Sequence, residues 1–182
     1  MPWKDLRDWL NHLEANGDLV RIKKPVSTKF EIAAYIRKSS DTDGPAFLFE
    51  NVPGSDYPVL AGLYGVKRRI LNALECPVEE MVHRFTEAIR NPIPHRKVET
   101  AAPCQEVVIT GKDVYLDRVP IVTHSEHDGP FVNAGVQVAP DPDTGVHGLG
   151  IHRMQKFGKD RLGLWAPAER RVGRAQIKSN ER

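Results

Sequence analysis

The hydrophobic residues of this chain change their spacing once, and the change falls across a proline-rich stretch. Helical spacing dominates before Asn91, whereas beyond Pro103 the apolar positions alternate. A period near 3.6 suits helices that bury one face, and a period of two suits half-buried strands. The segment between them, Asn91 to Pro103, carries three prolines and several charges and reads as a linker. At 182 residues the chain is long enough for one domain or at most two. The expected organisation is an α+β protein with domains at 1–98 and 99–182, the first of mixed α/β type.

In the first half, Trp3, Leu6, Leu10 and Leu13 fall on one helical face, and Gly17 follows Asn16 where a left-handed cap is wanted. That pattern predicts an amphipathic helix over 3–16. Leu19, Val20 and Ile22 predict a short strand, and Phe30, Ile32, Ala33 and Ile36 a second helix ending near Ser39. Two apolar runs, 46–49 and 58–61, are separated by Pro53-Gly54-Ser55 and predict buried strands. Residues 66–75 read as helical. A better-marked helix runs from Pro77 to Arg90, with Glu79 and Glu80 at its positive end and Pro92 as its stop. Its Val78, Met81, Val82, Phe85 and Ile89 form a stripe expected to face the core.

In the second half, Val107 and Ile109, then Phe131, Ala134, Val136 and Val138, mark expected strands. Pro140-Asp141-Pro142-Asp143-Thr144-Gly145 is a dense turn signal. It predicts a hairpin whose return strand covers 147–156. A turn at Gly158-Lys159-Asp160 then leads into a further strand at 162–165, so this half reads as antiparallel β structure.

Charge narrows the function classes. Twenty-six basic against 24 acidic residues leave a net charge of +2, too weak a field for non-specific nucleic-acid binding. From Glu169 to Arg182 there are five basic and two acidic residues, so the basic excess is C-terminal. Cys76 and Cys104 lie in neither a CxxC pair nor a zinc framework, which suits a reducing compartment. No apolar run approaches the roughly 20 residues of a membrane span, and the N-terminus lacks the apolar core of a signal peptide. A cytoplasmic location without a membrane span is expected.

Three segments could carry chemistry. His147-Gly148-Leu149-Gly150-Ile151-His152-Arg153 places two glycines inside an alternating strand. Strand glycines mark either a bulge or a place where a ligand approaches the backbone closely. Arg153 can offer a bidentate guanidinium to a carboxylate or phosphate. Both a bulge with a surface arginine and an anion site fit these residues. His124, His127 and Asp128 form a second cluster, which reads as a solvated loop because no third and fourth metal ligand stand nearby. Arg170, Arg171 and Arg174 could neutralise a phosphate or form a solvated face.

The residues also carry a resemblance. Asp5-Leu6-Arg7-Asp8-Trp9-Leu10, Gly17-Asp18-Leu19-Val20-Arg21-Ile22 and Gly44-Pro45-Ala46-Phe47-Leu48-Phe49-Glu50-Asn51 resemble the start of UbiD-family decarboxylases. Ala102-Pro103-Cys104-Gln105-Glu106-Val107, His127-Asp128-Gly129-Pro130-Phe131, Asp141-Pro142-Asp143-Thr144-Gly145, Gly150-Ile151-His152-Arg153-Met154-Gln155 and Gly158 to Trp165 follow the same family in the same order. The resemblance implies an N-terminal α/β domain and then the start of an FMN-binding split β-barrel. It implies a carboxy-lyase that reversibly decarboxylates an aromatic or α,β-unsaturated acid through prenylated FMN, with a divalent metal (manganese) and potassium. The cofactor acts as the electron sink, since an sp² carbanion is otherwise too costly. By motif position Ile151, His152 and Arg153 would line the flavin, with Trp165 and Arg171 beside it. Arg153 would also place the substrate carboxylate and serve catalysis. A flavin prenyltransferase would supply the cofactor, and a homo-oligomer or a completing subunit is implied.

Three departures from the family pattern stand out. Five residues before Arg153, members carry a metal-ligating asparagine; here that position is Gly148. After the tryptophan many members carry a histidine where this chain has Arg170 and Arg171. The resemblance therefore carries no metal ligand onto this sequence. Members also continue beyond the position of Arg182, which leaves two further expectations: a truncated or split homologue, non-catalytic alone, acting as a subunit or binding module, and a plain flavin-binding protein.

Overall fold

In the computed structural model of the protein, which describes residues 3–94, 98–100 and 102–181, the chain divides into two compact units. One comprises Met1–Val26, Ala34–Pro53 and Pro58–Val114, and the other Ser27–Ala33, Gly54–Tyr57 and Tyr115–Arg182. Of the expected linker 91–103, residues 95–97 and 101 lie outside the described residues.

The first unit opens with helix α1 (Leu6–Ala15). Asp5 caps it by accepting a hydrogen bond from the Asp8 amide at 2.9 Å. Gly17, at φ +74°, turns the chain after it. Strand β1 (Leu19–Ile22) is followed by helix α2 (Glu31–Asp41) and strand β2 (Ala46–Phe49), which lies parallel to β1 with Leu19 opposite Ala46. Strand β3 (Val59–Ala61) adds antiparallel to β2. Trp9, Leu13, Leu19 and Ala46 form the buried centre, with Leu10, Leu48, Leu60 and Leu63 packed around them. The α1, β1, β2 and β3 readings are present within a few residues. Phe30, expected inside the second helix, stands just before α2 at φ +69°.

Helix α3 (Lys67–Leu74) carries the most unusual buried group of this unit. Arg69 is fully buried and donates to three backbone carbonyls: Leu63 at 3.1 Å, Gly44 at 2.6 Å and Gly62 at 2.8 Å. Burial pulls its pKa below the ordinary arginine value, and Asp18, 3.7 Å away, opposes that pull. The arginine thus joins the loops before β2 and after β3.

Two sequence readings are corrected in this unit. The helix expected from Pro77 starts later, as α4 (Met81–Arg90), and its stripe does not face the core. Val82, Phe85 and Ile89 are 70%, 61% and 66% exposed. Met81, Val82 and Phe85 instead line an open apolar groove of about 860 Å³ with Trp3, Leu6 and Tyr64. Periodicity identifies the apolar face of a helix but not what covers it. Val107 and Ile109 are in no strand either: Pro103–Gln105, Gly111–Asp113 and Leu116–Arg118 are single 3-10 turns. Without a partner ladder, alternation alone makes no strand.

The second unit is built on antiparallel β structure. Strands β4 (Val122–Thr123) and β5 (Pro130–Val132) are followed by the β6 (Val136–Pro140) and β7 (His147–Ile151) hairpin. Strands β8 (Met154–Lys156) and β9 (Leu162–Leu164) complete a four-stranded sheet of order β4-β5-β8-β9, and helix α5 (Arg171–Asn180) closes the chain. The structure is thus a mixed helix-and-sheet fold with three small sheets, and no closed barrel among the described residues. The return strand expected over 147–156 is two strands in two different sheets, broken at His152-Arg153. The turn at 140–145 is as read: Asp141 Oδ1 accepts from the Asp143 amide at 2.9 Å, and Gly145 takes φ +70°.

Two predictions follow from this packing. Arg69→Met keeps bulk but takes a charged donor from three part-buried carbonyls, two of which keep another donor (the Gly65 amide on Gly62 and Arg68 Nη2 on Gly44), so a loss of about 2 kcal/mol is expected. Urea unfolding midpoints read it, and an unchanged midpoint would mean that water serves those carbonyls. Lys178, and then the Asp143 amide, hold the Asp141 carboxyl below its ordinary pKa. A depressed carboxyl contributes stability above its unfolded pKa and loses it as pH falls through the folded value. The amide resonances of Asp143 and Thr144, which donate to this carboxyl, should therefore shift with a midpoint below the ordinary aspartate value of about 3.9; a midpoint at or above it would refute the pairing.

Candidate functional site

The β6–β7 hairpin and α5 determine the site. Pairing runs unbroken from Val136 opposite Ile151 to Pro140 opposite His147, so the two strand glycines sit in a regular ladder and not in a bulge. They face the helix. A Cβ on Gly148 would lie 3.1 Å from Cβ and 3.3 Å from Cδ of Arg171, tighter than ordinary van der Waals contact. Gly173 is more demanding still, because a Cβ there would overlap the Pro167 carbonyl. What approaches the strand at Gly148 is therefore helix α5, which is neither the bulge nor the ligand that the sequence reading offered. The opposite face of the hairpin presents Val136, Val138, Leu149 and Ile151 to solvent.

The strand break is held by one side chain. Gln137 Oε1 accepts from the His152 amide at 2.8 Å, and Gln137 Nε2 donates to the His152 carbonyl at 3.0 Å. The carboxamide thereby gives His152 the pairing a neighbouring strand would give. The chain can then leave the hairpin and enter the four-stranded sheet at Met154. Arg153 lies at that crossing, with its guanidinium carbon 4.6 Å from the Phe131 ring centre. It makes no ion pair or side-chain hydrogen bond to another described residue.

All five residues singled out on resemblance meet at one place. Ile151, His152, Arg153, Trp165 and Arg171 line a cleft of about 580 Å³, together with Arg170. Trp165 is 79% exposed at its edge, an unusual position for an indole without a partner. Arg171 also lines a second cavity of about 380 Å³, shared with Gly148, Arg174, Lys178, Asp141 and Thr144. An apolar and aromatic wall with three guanidinium groups suits a flat organic body that carries anionic groups. His124 is elsewhere, hydrogen-bonded to Asn133 at 2.7 Å. No group of three His, Cys, Asp or Glu side chains able to hold a metal occurs among the described residues. Cys76 and Cys104 are both free, and no described helix is long and apolar enough to cross a membrane.

Gln137 was not among the expected site residues, and Arg174 was named only as part of a basic stretch that could neutralise a phosphate or form a solvated face. The signal for Gln137 was present, a polar residue on the helix-facing side of an apolar strand, but its partner lies 15 residues away and outside any periodic pattern. Arg174 follows Arg171 by three residues, which puts both on one face of α5.

Comparison with known proteins places the chain in a family. The 3-octaprenyl-4-hydroxybenzoate carboxy-lyase N-terminal domain matches residues 10–89, and the Rift-related domain of the same family matches residues 96–182. Among solved structures, an evolved dimeric form of the UbiD-class enzyme HmfF from Pelotomaculum thermopropionicum, in complex with prFMN, is 37% identical at a TM-score of 0.89. The match covers 97% of this chain and 41% of that one. Vanillic acid decarboxylase from Sedimentibacter hydroxybenzoicus, in its closed form, is 27% identical at a TM-score of 0.90, over 100% of this chain and 41% of the other. The 3,4-dihydroxybenzoic acid decarboxylase of Enterobacter cloacae is 27% identical at 0.87, over 100% and 40%. The chain therefore spans about two fifths of the length of these relatives. With both domains matched in order along nearly its whole length, the chain belongs to the UbiD family.

Proposed function

We propose that this chain binds prenylated FMN in the cleft beside β7 and serves a carboxy-lyase that acts on an aromatic or α,β-unsaturated carboxylic acid. The observation that carries the reading is the convergence of Ile151, His152, Arg153, Trp165 and Arg171 on one cleft. Residues to about 98 form the N-terminal α/β domain, and β4 to β9 belong to a flavin-binding domain of split-barrel type. HmfF structures with prFMN and with FMN support the cofactor class. The partners proposed are a flavin prenyltransferase as supplier and a second copy or completing subunit, in the cytoplasm.

The cleft fits the group. Its volume is in the usual range for cofactor sites, roughly 300–1,000 Å³, and Trp165 and Ile151 offer apolar surface to a ring system. When bound, the prenylated flavin supplies an electron sink for loss of CO2. The chain's own residues then have separate tasks. Arg153, unpaired with any described carboxylate, presents its fork to the substrate carboxylate and orients it by two parallel N–H donors. His152 holds its backbone through Gln137, so the guanidinium departs from a fixed point. Trp165 covers the cleft edge and excludes water from it.

Co-expression with a flavin prenyltransferase, followed by mass and absorbance spectra of the purified protein, tests the reading. Stoichiometric prenylated flavin is expected, and a protein that retains no flavin overturns it. Arg153→Ala should leave the melting temperature within about 2 °C, as exposed substitutions do. It should cut CO2 release by on the order of a hundredfold. Wild-type turnover in that variant removes the assignment. Gln137→Ala leaves both strands in place but frees the His152 peptide, and roughly tenfold weaker flavin binding is expected. Unchanged affinity would make the carboxamide clamp irrelevant to the site.

A further inference from the structure

The second cavity does not fit the divalent metal that the family pattern implies. Gly148 offers no donor atom where that pattern carries an asparagine, and His147 before it points to the other face of β7. The remaining lining is cationic: Arg171, Arg174 and Lys178. Its one carboxylate, Asp141, is already committed, accepting from Lys178 Nζ at 2.8 Å and from the Asp143 and Thr144 amides. Lys178 is shared further with Asp143, also at 2.8 Å. Arg171 and Arg174 have no such partner: neither makes an ion pair or side-chain hydrogen bond to another described residue. Two guanidinium groups without counter-charge therefore face a cavity with no metal-ligating set.

Two departures from the family pattern meet here. A side chain on Gly148 would crowd Arg171, whose Cβ and Cδ stand 3.1 and 3.3 Å from where its Cβ would lie. Gly148 and Arg171 are thus neighbours, so that a position without a donor atom lies beside a cation.

We propose that this cavity binds a phosphate monoester directly through Arg171 and Arg174, without a bridging divalent cation. Guanidinium forks match phosphate oxygens in geometry and keep their charge at every physiological pH. Arg171 lines the adjoining cleft as well, so on the flavin reading, on which this proposal rests, the monoester is the flavin's phosphate.

Calorimetric titration of the protein with inorganic phosphate, FMN and riboflavin, each in EDTA and then with manganese, tests the proposal. The expected result is phosphate and FMN binding that EDTA does not weaken, with FMN at least about tenfold tighter than riboflavin. Arg171→Gln and Arg174→Gln should each weaken FMN and phosphate by about tenfold, and Arg174→Gln, which lies outside the flavin cleft, should leave riboflavin unchanged. Arg174→Lys, which keeps the charge, should restore part of the loss, and an unaltered circular dichroism spectrum confirms that the variants fold. Affinity for FMN that rises tenfold with manganese overturns the proposal, as does FMN that binds no better than riboflavin. Phosphate binding in EDTA that depends on both arginines, with neither flavin bound, keeps the anion site and rejects the flavin reading. Absence of any phosphate or FMN binding rejects both.

Discussion

The site depends on how closely helix α5 sits on the β6–β7 hairpin. A two-stranded ribbon is marginal in water on its own and needs a covered face. Val172 and Ala175 are buried on the helix, whose side of the hairpin is cleared by Gly148 and Gly150. Gly173 lets the same helix touch the Pro167 carbonyl. Gly148 and Gly173 therefore leave room that a side chain would take from the helix, whereas a Cβ on Gly150 would crowd His152 and meet Val172 at an ordinary 3.5 Å. The first turn of α5 walls both cavities through Arg171, so the closeness of that packing determines the shape of each.

The second dependence is the change of sheet at His152-Arg153. A strand that leaves one ladder for another exposes a peptide with no partner at the crossing, and an unpaired buried peptide costs about as much as a lost hydrogen bond. Gln137 supplies both missing bonds from one carboxamide, on the strand it would have paired with had the ladder continued. Arg153 then emerges from a backbone held on one side by the hairpin and on the other by β8. A cleft arginine placed this way reaches a ligand with little ordering left to do, which is how preorganisation raises affinity without adding contacts.

Legibility in the sequence followed the range of the interactions. Helix α1 was readable from its apolar face, cap and following glycine, and β2 from a short apolar run between turn residues, because those signals are local. The Asp141 turn was readable for the same reason. The α4 stripe misled, since Val82, Phe85 and Ile89 have the spacing of a buried face and yet are exposed; the period states that a face is apolar, not that this stretch of chain covers it. Val107 and Ile109 alternate without a partner strand. At the site, the motif residues Ile151 to Arg153, Trp165 and Arg171 could be named from resemblance, but their meeting in one cleft needed the fold. Gln137 could not be named, because nothing within 10 residues of it signals a bond to His152.

The replacement of a ligand by a cation changes what governs loading of the site. A metal-bridged phosphate needs ligands that are deprotonated and a supply of the ion, so its affinity falls with pH and with chelators. A guanidinium needs neither. Its charge is permanent, but it attracts a dianion less strongly than a divalent ion at the same distance, since the interaction scales with the product of charges. Two arginines one helical turn apart recover the total charge while spreading it over a wider arc. Such an arrangement gives up the compactness of a metal centre and requires that the helix carrying it be fixed firmly. Gly148 answers that requirement directly, because it has no side chain to hold Arg171 off the strand.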